Sequence, residues 1–147
     1  MENEKLIERA IREAKQTSSM DVPVGCAIMK DGVIIGAAHN QKEELNDVTG
    51  HAEILAIREA QRKLGTWRLS GCEIYVTLEP CPMCAWAILQ SRADTLYFGS
   101  YNTRCGAFGT VINLNDFDNS ALKVYGGIEE DRCDKILEKF FNRLREK

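Results

Sequence analysis

The chain has 147 residues, of which 44% are hydrophobic and 28% are charged, and its formal net charge is −3. These values are ordinary for a globular protein. The length suits one domain over residues 1–147, with a hydrophobic core large enough to be stable without disulfide or metal cross-links. No run approaches the roughly 18 apolar residues of a membrane span, and the charged N-terminal segment lacks a signal-peptide core. We therefore expect a cytoplasmic protein without a membrane contact.

The charge is distributed unevenly along the chain. Residues 134–147 include five basic and three acidic side chains, a net +2, which leaves −5 for the remainder. Proteins that bind RNA usually have a basic surface, and this chain as a whole is acidic. Because a local basic patch could still contact phosphates, the net charge neither supports nor excludes a nucleic-acid substrate.

Predicted helices and strands alternate along the chain. An amphipathic helix over 4–16 is followed by a strand over 24–29, a turn at 31–32 and a returning strand from 33 to about 40. Helices over 51–64 and 82–90 flank a strand over 72–78, and strands over 95–99 and 122–124 precede a final helix over 131–145. This order predicts an α/β fold, a three-layer α/β/α sandwich around a five-stranded mixed sheet.

Two cysteines stand at the start of the third predicted helix, in Cys81-Pro82-Met83-Cys84. Their spacing places both thiolates on one helix face, within reach of a single ion. Pro82 suits the first helical position, where a backbone N–H has no helical partner. His51, at the start of the second helix, would supply a third ligand. Three protein ligands leave the fourth position of a zinc ion open for water.

Glu53 lies two residues after the histidine and is the natural group to move protons at that water. Each part alone has an ordinary explanation, since C-x-x-C also occurs in redox pairs and structural zinc knuckles. An acid in a first helical turn also stabilises the helix terminus. Together, H-x-E followed by P-C-x-x-C is the established signature of zinc nucleobase deaminases. We therefore predict a catalytic zinc site with Glu53 as its catalytic residue and, as metal ligands, His51, Cys81 and Cys84.

The other candidate residues have less specific patterns. His39 lacks ligand-type neighbours at metal spacing, so we expect it to be structural or solvent-facing. Cys105 lies in a loop that can border the site, and its role stays open. The helix after the cysteines is apolar almost all round, so we expect it between layers or in a subunit contact, with Trp86 in the core or an interface. Small core or surface thiols are expected at the remaining cysteines, Cys26, Cys72 and Cys133.

Nearly from end to end, the chain resembles bacterial tRNA-specific adenosine deaminases of the TadA type, within the cytidine-deaminase-like superfamily. The resemblance covers residues 22–25, 40, 51–53, 65–69, 75–85, 91–92 and 98–99 and the terminal pair Phe140-Phe141. The metal motif belongs to the whole superfamily. The run Thr77-Leu78-Glu79-Pro80 and the double phenylalanine are closer to the tRNA branch.

This resemblance implies hydrolytic deamination of adenosine to inosine at the wobble position of a tRNA anticodon loop, with the target base splayed into the pocket. One zinc ion per subunit would supply the attacking hydroxide, and Glu53 would shuttle the proton to N1 and to the leaving amine. The implied partners are the tRNA anticodon stem-loop and a second copy of the chain, since family members are homodimers. Candidate substrate-binding residues are Asn40, Asn102, Arg104, Phe141 and Arg145.

One position departs from the family pattern. Relatives usually carry an aspartate that meets the ribose beside the target, where this chain has Asn102. Because a carboxylate is the stronger acceptor for the 2′-hydroxyl that distinguishes RNA from DNA, we hypothesise weaker discrimination between RNA and DNA here. Ordinary loop variation is the alternative. Equal ratios of RNA to DNA rates in the wild type and Asn102→Asp would refute the hypothesis. Near Arg145, Asn142 stands where the family often has arginine.

Two other functions are compatible with the motif. The same chemistry could act on a small molecule, as in a guanine, cytosine or nucleoside deaminase, which the acidic net charge favours. A zinc-stabilised binding module without catalysis would need a fourth protein ligand to close the site, and Cys105 is its candidate. A bound water in the fourth position would exclude that second alternative.

Overall fold

The structure is a computed structural model that describes residues 2–117 and 120–146. All the predicted elements are present, and their ends lie close to the expected positions. The helices are α1 (Glu2–Lys15), α2 (Ala52–Leu64), α3 (Pro82–Ser91) and α4 (Glu130–Arg145). The strands are β1 (Gly25–Lys30), β2 (Val33–His39), β3 (Cys72–Leu78), β4 (Thr95–Ser100) and β5 (Lys123–Tyr125). No helix in the described part of the chain is long and apolar enough to cross a membrane.

The strands form one mixed sheet in the order β2-β1-β3-β4-β5. β1 pairs antiparallel with β2 and with β3, whereas β3, β4 and β5 run parallel. Asp31 and Gly32, which join β1 to β2, both have positive φ angles, of 51° and 78°, as a two-residue hairpin turn requires. The predicted hairpin and the mixed five-stranded sheet are therefore confirmed.

Alternation of side chains along the strands builds a core on each face of the sheet. In β1, Cys26 and Ile28 pack with residues of α2 and α3, whereas Ala27 and Met29 point to the opposite face, toward α1 and α4. Successive side chains of a strand point to opposite faces, so both faces of β1 are buried. The predicted three-layer α/β/α sandwich is confirmed.

Gly25, the first residue of β1, marks the closest packing between the sheet and α1. A Cβ atom built there would lie 1.9 Å from the carbonyl oxygen of Ala10 and 2.5 Å from the backbone nitrogen of Ala14. Only glycine permits this approach of helix to strand.

His39, at the end of β2, has a partner on α1. His39 Nδ1 lies 3.1 Å from Glu13 Oε1, so the structural role expected for this histidine is confirmed.

The helix that follows the zinc-motif cysteines is only half covered. Its inner face is buried, but Met83 and Trp86 are 37% and 44% exposed. Of the two places predicted for Trp86, the core or an interface, its exposure excludes the core of the single chain and leaves the interface as the prediction. The three cysteines expected to be small core or surface thiols, Cys26, Cys72 and Cys133, are buried.

Candidate active site

The loops that form the predicted metal site lie at one edge of the sheet. Because β1 runs against β2, β3 and β4, its first residue lies at the same edge as their carboxyl ends. Helices α2 and α3 also begin at this edge, and their N-terminal N–H groups favour negative charge there. A pocket of about 700 Å³ opens at this edge, within the range of about 300–1,000 Å³ for small-ligand sites.

The predicted metal ligands meet in this pocket. His51 is the residue before α2, Cys81 is the residue before α3, and Pro82 occupies the first helical position as expected. His51 Nδ1 lies 3.7 Å from Cys81 Sγ and 3.4 Å from Cys84 Sγ. Tetrahedral zinc with bonds of about 2.3 Å to sulfur and about 2.0 Å to nitrogen separates such atoms by about 3.5 Å. The donor set and its spacing therefore fit a zinc ion.

The electrostatics of the cluster also favour a cation. Hydrogen bonding from Cys84 and His51 lowers the pKa of Cys81 to about 4, although burial of the thiol opposes this. The pKa of the Cys84 thiol is raised, because it forms a hydrogen bond with Cys81 and because it is buried. A thiolate is therefore already stabilised at Cys81, and metal binding would displace the remaining proton.

Glu53 lies in the first turn of α2, lines the pocket and is only 4% exposed. Burial raises the pKa of Glu53 to about 7, and the negative charge of Cys81 adds to the shift. The backbone N–H of Glu53, the charge of His51 and a hydrogen bond from Cys84 act in the opposite direction. A carboxyl group with a pKa near neutrality can both accept and donate a proton under physiological conditions.

The cluster has an open side. Within the described residues, His51, Cys81 and Cys84 are the only group of three or more metal-ligating side chains whose ligand atoms all lie within 4.8 Å of one another. Cys105 lines the pocket but does not belong to this group. A structural zinc site is closed by four protein ligands, whereas a catalytic site keeps one position for water. The geometry therefore favours catalysis over a zinc-stabilised binding module.

Comparison with known proteins agrees with the site. Residues 1–100 match the family model of the cytidine and deoxycytidylate deaminase zinc-binding region. The tRNA-specific adenosine deaminase of Bacillus subtilis is 42% identical over 99% of this chain and 92% of its own length. The chain belongs to the family of tRNA-specific adenosine deaminases. Its predicted relationship, its fold class and the prediction of a zinc cofactor are thereby confirmed.

Solved structures support the same assignment. One, from a study of A-to-I editing by tRNA:A34 deaminases at the wobble position of transfer RNA, is 40% identical with a TM-score of 0.84. It covers 91% of this chain and 99% of that one. Guanine deaminase from Bacillus subtilis is 37% identical, but the match covers 70% of this chain and 67% of that one, with a TM-score of 0.66. The small-molecule alternative is therefore the less favoured one.

Four of the five predicted substrate-binding residues line the pocket, namely Asn40, Asn102, Arg104 and Phe141. Arg145 does not. It lies at the exposed end of α4, where its guanidinium donates a hydrogen bond to Asn142. The pocket wall also includes Lys42 and Tyr101, which the sequence motifs did not single out.

Asn40 and Asn102 have structural partners that sequence reasoning missed. The side-chain amide of Asn40 donates to the carbonyl of Val22 at 2.9 Å, and its oxygen accepts from the N–H of Ala52 at 2.8 Å. Asn40 therefore fixes the start of the helix that follows His51. Asn102 Oδ1 accepts from the N–H groups of the residues two and three positions later, both at 3.1 Å. Its oxygen therefore folds the loop that borders the pocket.

Glu79 organises the rest of that loop. Its side chain is 1% exposed, and its carboxylate accepts from the N–H groups of Asn102, Phe108 and Thr110 at 3.0–3.2 Å. The hydroxyl of Thr110 also donates to it. A Cβ atom at Gly106 would lie 2.5 Å from this carboxylate. Residues 102–110 thus wrap around one buried charge, which makes Glu79 a positioning residue for the pocket wall.

Substitution of Glu79 by glutamine should destabilise the fold. An amide NH₂ group cannot accept from the backbone N–H groups that the carboxylate binds, so buried donors would lose their partners. We expect Glu79→Gln to lower the free energy of unfolding by about 2–4 kcal/mol, measured by urea denaturation. Glu138→Gln on the exposed side of α4 is the matched control, with a change below about 0.5 kcal/mol. Equal effects in both variants would contradict this role for Glu79.

Proposed function

We propose that this chain is a zinc-dependent deaminase that converts adenosine to inosine at the wobble position of a tRNA anticodon loop. The observation that carries the proposal is the open His51, Cys81 and Cys84 cluster beside the buried carboxyl group of Glu53. The 42% identity to a tRNA-specific adenosine deaminase over nearly the whole chain supports tRNA as the substrate. Because tRNA is a cytoplasmic substrate in bacteria, we expect the cytoplasm as the location.

Glu53 performs the proton transfers that the reaction needs. Zinc, when bound to the cluster, lowers the pKa of its water so that hydroxide forms near neutral pH. Glu53 accepts one proton of the attacking water at its carboxylate and donates it to N1 of the purine; it then takes up the second proton of that water and delivers it to the amine that leaves from C6. Adenosine and water thus give inosine and ammonia. The first turn of α2 holds Glu53 two residues from His51, so this acid lies beside the cluster that would hold the zinc ion.

The rim of the pocket suits a nucleic-acid loop better than a free base. Tyr101 and Phe141 line the pocket and are 46% and 43% exposed, and exposed aromatic rings stack on unpaired bases. Lys42 and Arg104 add two cations to the same wall, where they would attract the phosphates on either side of the target. A free purine offers neither neighbouring bases nor phosphates to these groups.

We also propose that the chain forms a homodimer through the outer face of α3, where Met83 and Trp86 are exposed. Adjacent large apolar side chains on a surface typically mark a protein contact. The wild type should be a dimer by light scattering, and Trp86→Glu should shift it toward the monomer. Gln16→Glu, which adds the same charge at an exposed position just after α1, on the opposite face of the sheet from α3, should leave the dimer intact. A monomeric wild type would contradict the dimer.

The substrate is tested by ammonia release from the purified, zinc-loaded chain, with Glu53→Ala as the blank. The panel comprises an anticodon stem-loop with a wobble adenosine, free adenosine, guanine, cytosine and cytidine. Release from the stem-loop alone would establish an RNA-editing enzyme. Release only from a free base or nucleoside would retain the zinc chemistry and overturn the tRNA assignment.

A further inference from the structure

A second concave surface lies between α1 and α4, outside the deaminase pocket. This cleft has a volume of about 610 Å³. The charged side chains that line it are all basic, namely Lys15, Arg132, Lys135, Lys139 and Arg143. In a chain with a net charge of −3, such a concentration of positive charge favours an anion in the cleft.

Among the described residues, most of these cations make no side-chain ion pair, although the positive charge of Lys15 lowers the pKa of Glu8. Arg132 is neutralised, since it binds Glu8 at 2.7 Å and Glu129 at 3.0 Å. Among the described residues, no side-chain ion pair or hydrogen bond involves Lys15, Lys135 or Lys139. Arg143 lies over the ring of Phe140 at 6.0 Å. Cations held near one another without counter-charges favour a ligand with several negative charges.

The spacing of the cations indicates which kind of anion fits. Lys135, Lys139 and Arg143 are separated by four residues each, so they follow one ridge of α4. A helix rises 1.5 Å per residue, which separates neighbouring members of this row by about 6 Å. Successive phosphates of a nucleic-acid strand have a comparable separation. A row of this kind can contact consecutive phosphates, whereas a single phosphate would use only one or two of its members.

The cleft adjoins the deaminase pocket on two sides. Leu137 and Phe141 of α4 line the pocket, whereas their neighbours in the sequence, Ile136 and Phe140, line the cleft. Pro23 also lines the cleft, and the valines on both sides of it, at positions 22 and 24, line the pocket. A strand that leaves the pocket across α4 therefore enters the basic cleft directly.

We propose that the cleft between α1 and α4 binds the phosphate backbone of the substrate RNA beyond the nucleotides held in the pocket. The proposal rests on the proposed function, because it identifies how the same RNA is held outside the reacting nucleotide.

The test measures binding of a fluorescent anticodon stem-loop by the zinc-loaded chain over a range of salt concentrations. The triple variant Lys135→Gln, Lys139→Gln and Arg143→Gln removes the row on α4. The control triple variant Arg58→Gln, Arg62→Gln and Lys63→Gln removes three exposed basic residues from α2, outside both concave surfaces. Lys15→Gln, on the opposite wall of the cleft, is a milder variant in case the first triple variant does not fold.

Loss of three phosphate contacts should weaken binding about 10–100-fold near 0.1 M salt and reduce the slope of log K against log salt by about 2–3. Lys15→Gln should reduce the slope by about 1. The control should retain the wild-type slope to within about 0.3. At saturating stem-loop, kcat of the cleft variants should stay near the wild-type value, since these side chains do not touch the reacting base.

Equal slopes for the cleft variants and the control would overturn the proposal. Failure of the proposed function is visible separately, because it is read from inosine formation by the wild type. If the wild type formed no inosine but the salt slope still fell in the cleft variants, the proposed binding surface would stand and only the proposed activity would be rejected.

Discussion

Glu53→Gln should lower kcat for inosine formation by about 10³–10⁴-fold, while the protein retains one zinc ion per chain. The amide has nearly the shape of the carboxyl group but cannot carry a proton between the water and the purine. The loss should appear in kcat rather than in the affinity for RNA. The measurement combines single-turnover kinetics on a stem-loop with the zinc content by mass spectrometry. Glu44→Gln, in an exposed loop, should retain full activity.

The same substitution should not destabilise the protein, in contrast to Glu79→Gln. Burial and the negative charge of Cys81 raise the pKa of Glu53, so a neutral side chain at this position removes an unfavourable buried charge in the metal-free chain. Glu79 has a buried carboxylate whose charge is satisfied by surrounding N–H groups. Activity of Glu53→Gln within tenfold of the wild type would contradict its role as the proton carrier.

Cys84→Ser should abolish both zinc binding and activity. Cys84 is fully buried and lies 3.4 Å from His51 Nδ1, and a hydroxyl group is a much poorer ligand for zinc than a thiolate. We expect less than about 0.1 zinc ion per chain after gel filtration and a loss of kcat of more than about 10³-fold. Cys26→Ala changes another buried cysteine, outside the ligand cluster, and should retain zinc.

Zinc binding also provides a thermodynamic measurement. A ligand that binds only the folded chain stabilises it by about 4 kcal/mol at a thousand times its Kd. A chelator should therefore lower the Tm of the wild type and of Cys26→Ala, and it should leave the Tm of Cys84→Ser unchanged. A chelator-sensitive Tm in Cys84→Ser would show that zinc is bound elsewhere.

Most of the fold and the metal site could be predicted because both depend on short-range patterns. Helices and strands follow from apolar periodicity, and the hairpin follows from Asp31-Gly32. The ligands follow from residues at two helix starts, His51 and the C-x-x-C pair, which an α/β sheet brings to one edge. The exposure of Trp86 was ambiguous, because an apolar helix surface can be covered by the same chain or by another.

What sequence reasoning missed depends on contacts between distant segments. Glu79 accepts from N–H groups 23 to 31 positions away, and nothing in the sequence shows that the loop turns back around it. The side chain of Asn40 was predicted to meet the nucleoside, and its bonds to the main chain required the actual path of residues 22–24. The basic cleft is formed by Lys15 together with residues from 132 to 143. These residues are far apart in the sequence and have acidic neighbours, so no single stretch of sequence is strongly basic.

The most direct test is to identify the modified position in a tRNA that has adenosine at the wobble position and at other sites in the loop. The zinc-loaded wild type and Glu53→Gln are incubated with this tRNA, and inosine is read as an A-to-G change after reverse transcription. The proposed function predicts inosine at the wobble position only, and only with the wild type. Unmodified tRNA together with ammonia release from guanine would show that the site is a small-molecule deaminase.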